Sequence, residues 1–354
     1  MLQFLAIIGA IVVAVLALLV LALVLMFWRL RKGLREFSAN LPDLASIATP
    51  ARIRLQKRET MNWRDEAAAN ALINGLWPLG FQDAGSYEVS EIPGLLVRGL
   101  ARPEENLWAV VYEHPLAGVM FDIVTRYTQD GAWIGSLTTS TAKQGGELDR
   151  RPGYDKIYEP DFDARQLYEL HLRERRPDVE FWPIVPVAFA TEFESAYANE
   201  MDWRLSRGMA TEDEIRAVAA KQGEELSAEK LTMLRQVHEA QASAGLVEVI
   251  REKFLKETPL SAAEWESLRE RIVIVHERML PKSVFAEFKA WSFDEPSPFD
   301  DDDKPPYPNE LTPLQGFAHL NSTLSAARRF EKIADFSEPV AAHVYKAADI
   351  AVAA

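Results

Sequence analysis

From Phe4 to Trp28 the chain runs for 25 residues without a charged side chain, and no other feature constrains its fold as strongly. At about 1.5 Å per residue a helix of this length reaches about 37 Å, against a hydrocarbon core of about 30 Å. An unbroken helix satisfies every backbone amide in lipid, so residues 1–28 read as one uncleaved transmembrane helix. A cleaved signal peptide fits poorly, because no basic region precedes the run and its length exceeds the usual apolar stretch of about 7–15 residues. Arg29, Arg31, Lys32 and Arg35 follow at once, with Trp28 at the boundary. These five are the expected membrane-interface residues. Basic residues stay on the cytoplasmic side, which predicts an outward N-terminus and a cytoplasmic body on the plasma (inner) membrane. Ala6, Ala10 and Ala14 share one helix face, a spacing that suits helix–helix association.

Charge divides the remainder. Residues 29–60 hold eight Lys/Arg and three Asp/Glu, whereas 61–354 hold 31 and 50, giving the chain its net −14. A basic juxtamembrane stalk, 29–60, therefore leads into an acidic body. Such a body is repelled by nucleic acid, which is excluded as a partner. Cysteine is absent, which excludes disulfides, thiolate metal sites and cysteine nucleophiles.

The expected class is α+β: the transmembrane helix, an antiparallel meander packed by a helix over 61–186, and a mainly helical region over 187–293. A loop at 294–313 with six prolines and the run Asp300–Asp303 follows. A C-terminal helix and tail fill 314–354, the tail reading equally as strand or helix. A short strand is expected within 51–61. Asn62 is the expected cap of a helix reaching Trp77, and Asp163 of one reaching Arg175. Strands are expected near 80–89, 95–101, 107–113, 118–128 and 132–141, with Asp130-Gly131 as a two-residue hairpin turn. Capping boxes are read at Thr191/Glu194, Thr211/Glu214 and Ser261/Glu264. In 227–257 the expected buried stripe is Met233, Val237, Ala240, Ala244, Val247 and Phe254, with a break possible at Gly245.

A turn at 114–117 pairs Glu113 with Gly118 and Tyr112 with Val119. One sheet face then carries Trp108, Val110, Tyr112, Val119, Phe121, Ile123 and Tyr127, which the 62–77 helix would cover. The other carries Glu113, Asp122 and Arg126 among Val111, Met120 and Val124. With His114 these polar residues form the candidate catalytic set Glu113, His114, Asp122 and Arg126, since carboxylates beside a histidine suit acid–base work. The alternative for the same face is ordinary cross-strand charge pairing.

Nothing else rises as high. His238-Glu239 and His276-Glu277 each lack the second histidine of a zinc-protease helix, and His171 reads as a surface residue of a charged helix. The helix over 191–208, with Glu192, Glu194, Glu200, Asp202, Arg204 and Arg207, lacks the Glu-x-x-His motifs of a dimetal centre, so it reads as salt-bridged with Phe193, Tyr197, Met201 and Trp203 inward. Asp300–Asp303 lacks the ligand alternation of a calcium loop. There is no P-loop, nucleophile elbow or dinucleotide fingerprint, so neither a cofactor nor a metal is expected. The leading expectation is a membrane-anchored, non-enzymatic binding or scaffolding protein, with the lipid bilayer and a protein partner or a second copy as partners. The alternatives are a tethered hydrolytic enzyme using the polar sheet face, and a lipid or small-ligand binder with a pocket between helix and sheet.

Overall fold

The computed structural model describes residues 49–143, 148–221, 223–259, 264, 268, 272–292 and 307–346. It corrects the expected class. The described chain is α+β, but its large sheet is mixed rather than a pure antiparallel meander, and one strand within the mainly helical region joins two strands of the tail in a second sheet. No helix among the described residues is long and apolar enough to cross a membrane. The transmembrane helix expected at 1–28, with Trp28, Arg29, Arg31, Lys32 and Arg35, lies outside the described residues, as do Ser261 and Asp300–Asp303.

Seven strands form the path of the large sheet in sequence order: β1 (Leu55–Lys57), β2 (Gln82–Val89), β3 (Leu96–Arg102), β4 (Leu107–His114), β5 (Gly118–Gln129), β6 (Ala132–Ser140) and β7 (Tyr154–Tyr158). Neighbours are antiparallel except β6 and β7, which are parallel. A two-residue strand, β8 (Glu180–Phe181), pairs with the end of β5. Between β5 and β6, Asp130 and Gly131 both take positive φ, at 52° and 74°, as a hairpin turn matched to strand twist requires.

Both faces of this sheet are covered. Under one face lie α1 (Glu66–Leu76) and α2 (Ala164–Glu174). Their residues Ile73, Leu76, Leu167 and Leu170 join Leu107, Ala109, Val111, Phe121 and Ile123 in one core. Asp163 caps α2 as expected. The cap of α1 is Asp65 rather than Asn62, its carboxylate accepting from Ala68 N. The opposite face packs on α3 (Phe189–Ser206), where Phe189 joins Tyr87, Val97, Ala101, Trp108 and Val110.

The register differs by one residue from the expected one, because the turn spans three residues rather than four. His114 pairs with Gly118, Glu113 with Val119 and Tyr112 with Met120. Side chains alternate along a strand, so this slip exchanges the faces of β5 relative to β4. Val119, Phe121 and Ile123 therefore share the α1 side with Val111 and Glu113. Asp122, Val124 and Arg126 share the α3 side with Trp108, Val110 and Tyr112, and Asp122 opposes Val110.

The other described elements follow α3 in sequence. Helix α4 (Glu212–Lys221) carries the expected Thr211/Glu214 capping box. Helix α5 (Ala228–Glu257) runs unbroken through Gly245. Its buried stripe is Leu231, Ala242, Leu246, Ile250 and Phe254, whereas Met233 is exposed, so the expected stripe is rotated. The strand β9 (Ile272–His276) replaces helix in the expected helical region. Helices α6 (Pro281–Ser292) and α7 (Pro313–Thr323) follow, then β10 (Glu331–Phe336) and β11 (Ala342–Lys346). The tail is a strand. It joins β9 and β10 in a three-stranded antiparallel sheet, not the large one. Met201 and Leu205 of α3 enter this second core with Leu246, Ile250, Val273 and Phe317. One helix thus contributes to two cores, its first half to the large sheet and its second half to the small one.

His171 is fully buried on α2, not on the surface. Its ring nitrogens lie 2.8 Å from Thr125 Oγ1 and 3.1 Å from Thr139 Oγ1. Burial, helped by Arg175, pulls its pKa down to about 3. In the unfolded chain a histidine takes a proton near pH 6.5. Below that pH the unfolded state binds more protons than the folded one, so stability is lost as pH falls from about 6.5 toward 3. His276, pulled to about 4 mainly by burial, adds to the same trend. Urea unfolding at about pH 7 and pH 5 is expected to show a lower midpoint at pH 5, with a smaller drop in His171→Gln. An equal drop in that variant would remove His171 as a source.

Candidate functional site

The corrected register disperses the candidate catalytic set. Glu113 faces α1, only 2% exposed, and its carboxylate accepts from Arg64 N at 2.7 Å and Asp65 N at 2.8 Å. It satisfies the chain entering α1, where backbone amides lack helical partners. His114 caps its own turn, Nδ1 accepting from Leu116 N and Ala117 N at 3.1 and 3.2 Å. Only Asp122 and Arg126 remain together, on the face under α3. The set therefore does not form one constellation.

The face under α3 holds a cavity of about 260 Å³. Its floor comes from four adjacent strands: Val110 and Tyr112 of β4, Asp122 and Val124 of β5, Ser136 and Thr138 of β6, and Tyr154 of β7. Its roof is Phe193, Ala196, Tyr197, Asn199 and Glu200 of α3, the last paired with Arg204. The hollow follows from side-chain size. Val110, Val124, Ser136 and Thr138 are short, and Ala196 stands above them, while Trp108, Tyr112, Trp133, Phe189 and Phe193 wall the space. Two glycines permit the close approaches that frame it. A Cβ on Gly99 would lie 2.6 Å from the Phe189 ring, so Gly99 is the notch into which α3 sets its first aromatic. A Cβ on Gly135 would lie 2.2 Å from Gly153 O, so no larger residue lets β7 run beside β6.

One carboxylate fixes roof to floor. Glu192, in the first turn of α3, accepts from Arg126 Nη1 at 2.6 Å and Trp108 Nε1 at 3.0 Å on one oxygen, and from Trp182 Nε1 at 3.3 Å on the other. Arg126 Nη2 donates to the Glu192 backbone carbonyl at 3.0 Å, and the guanidinium lies 4.4 Å over the Trp133 ring. Burial lowers the Arg126 pKa to about 10, against the opposing pull of Glu192, so it stays charged near neutrality. The Thr191/Glu194 pair does not start α3, which begins at Phe189. Glu194 accepts Leu55 N instead, at 2.6 Å, tying β1 to the same helix.

Asp122 differs from Glu192 in being incompletely used. Its Oδ2 takes Lys156 Nζ at 3.3 Å and the Tyr112 hydroxyl at 3.5 Å, while Oδ1 is buried and accepts nothing. Burial, then Asp122, pushes the Tyr112 phenol far above its ordinary pKa, so it remains a donor. Trp133 Nε1–H is likewise buried without an acceptor. Among the described residues no group of three or more His, Asp or Glu is placed to hold a metal ion.

A second hollow of about 320 Å³, lined by Gly131, Trp133, Arg151, Tyr154, Trp182 and Asn199, shares Trp133, Tyr154 and Asn199 with the first. Sequence reasoning reached Asp122 and Arg126 but not Glu192 as the partner of Arg126, nor Trp133, Arg151, Tyr154 and Trp182. The signal was the alternation of Trp108 and Tyr112, which points the right way once the turn is shortened by one residue. No protein-family model matches the chain, and comparison with curated proteins and with solved structures finds no relative in either.

Glu113 has a testable structural role. Glu113→Ala leaves two amides unpartnered and should cost about 2–3 kcal/mol in chemical denaturation. Glu113→Gln should recover part of this, since one amide oxygen still accepts. Unchanged stability in Glu113→Ala would contradict the assignment.

Proposed function

We propose that this chain is a binding protein whose ligand is a small, mainly apolar ring molecule carrying one hydrogen-bond donor, held between the large sheet and α3. The observation that carries this reading is the combination of an aromatic-walled hollow with a buried carboxylate oxygen, Asp122 Oδ1, that accepts nothing. Buried polar atoms are nearly always partnered, and an unpartnered one costs about 1–3 kcal/mol. A ligand donor supplies the missing partner. Ligand pockets are mostly apolar with a few convergent polar groups, and drug-sized ones run about 300–1,000 Å³. At about 260 Å³ the inner cavity suits a body of one or two rings. The dispersal of Glu113 and His114 away from Asp122 weighs against the hydrolytic alternative.

The probe is 2-naphthol, which is neutral near pH 7 and has two rings and one donor. Saturation-transfer NMR on the full chain is expected to show binding with a dissociation constant of about 0.1–1 mM, typical of so few atoms. Ala196→Phe fills the roof side of the hollow and should abolish the transfer while the chain remains folded by circular dichroism. Ala196→Leu should weaken it. Absence of transfer to the wild-type chain, or undiminished transfer to a folded Ala196→Phe chain, would overturn the reading.

A further inference from the structure

We infer that the outer hollow selects an anionic group, so that the ligand is a hydroxylated aromatic acid with its ring and donor in the inner cavity and its carboxylate at Arg151. This rests on the cavity reading above and deepens it. Arg151 is the one charged side chain lining the outer hollow, in a chain of net charge −14. Its guanidinium lies 4.9 Å over the Tyr154 ring, and no carboxylate among the described residues pairs with it. The other two guanidiniums of the site are used: Arg126 is spent on Glu192, and Arg150 donates to the Tyr158 hydroxyl. An arginine over the face of an aromatic ring, with no carboxylate partner, has N–H groups left for a planar bidentate acceptor, and a carboxylate matches that fork.

Trp133 adds a second donor at the same place. It lines both hollows, and its buried Nε1–H lacks an acceptor. Trp182, the other indole there, already donates to Glu192 and stands edge-on to Trp133 at 5.5 Å between ring centres. The outer hollow thus offers an unpaired cation and an unused donor, and no acid lines it. The inner cavity offers apolar walls and an unused acceptor. Shared lining at Trp133, Tyr154 and Asn199 makes the two hollows adjacent, as a ligand with one apolar and one anionic end requires.

Three probes with a common two-ring body and one hydroxyl donor test the charge preference on the full chain: 2-naphthol, 6-hydroxy-2-naphthoate and 6-(aminomethyl)-2-naphthol. Titration calorimetry at low salt is expected to give 6-hydroxy-2-naphthoate an affinity about tenfold above 2-naphthol, with the cation weakest. Arg151→Gln should remove the naphthoate advantage and leave 2-naphthol binding unchanged, and Arg151→Lys should restore part of it. Equal affinities for naphthoate and naphthol, tighter binding of the cation, or an advantage that survives in Arg151→Gln would each overturn the inference while leaving the cavity reading intact. If no probe binds, both fall together.

Discussion

The Glu192 carboxylate is the constraint on which the arrangement of this chain turns. A carboxylate only 14% exposed is costly to hold away from water unless donors surround it. Here a guanidinium and two indoles converge on it from β4, β5 and the segment leading into α3. Its place in the first turn of α3 adds the favourable end of the helix dipole. The result locks α3 at one height and angle above the large sheet. The small sheet inherits that placement, because the second half of α3 supplies Met201 and Leu205 to its core. The cavity is a by-product of the same lock. A helix held fixed over a floor of valine, serine and threonine cannot settle to fill the space beneath it.

Much of the large sheet was legible. Alternating apolar residues bounded by turn signals gave β2 to β6 nearly to their ends, and Asp130-Gly131 gave its hairpin. Asp163 gave the start of α2. The register was not legible, because the choice between a three- and a four-residue turn at His114 depends on hydrogen bonds that the His114 ring makes to its own loop. That single step moved Glu113 to one face and left Asp122 and Arg126 on the other, which is why half of the candidate set separated. The buried stripe of α5 was misplaced because alanines crowd that helix and blur its apolar face. The charged sequence neighbours of His171 suggest a surface residue, yet it faces two threonine hydroxyls under the sheet. The strand β9 was missed although Ile272-Val273-Ile274-Val275 is a run of β-branched residues, the usual mark of a fully buried strand.

The site differs from the expected one in kind. The second sheet face was expected either to meet water or to line a shallow acid–base site. It is covered instead, and its polar residues sort by how completely they are paired. Glu192 and Arg126 are saturated and structural. Asp122, Trp133 and Arg151 retain capacity that the protein does not use. A strongly acidic surface disfavours anions at long range, but beyond about 10 Å in ordinary salt that repulsion is screened. The local character of the pocket, set by Arg151, then governs what is retained.

A double-mutant cycle between Arg126 and Glu192, read by urea denaturation, tests most directly whether this pair holds α3 on the sheet. Arg126→Met and Glu192→Gln should each destabilise the chain by about 3 kcal/mol, since each leaves its partner's charge buried and uncompensated. The double variant should cost much less than the sum, with a coupling of about 2 kcal/mol or more. Single effects below about 1 kcal/mol that simply add would contradict it, and would mean that aromatic packing at Phe189 and Phe193 places the helix without the ion pair.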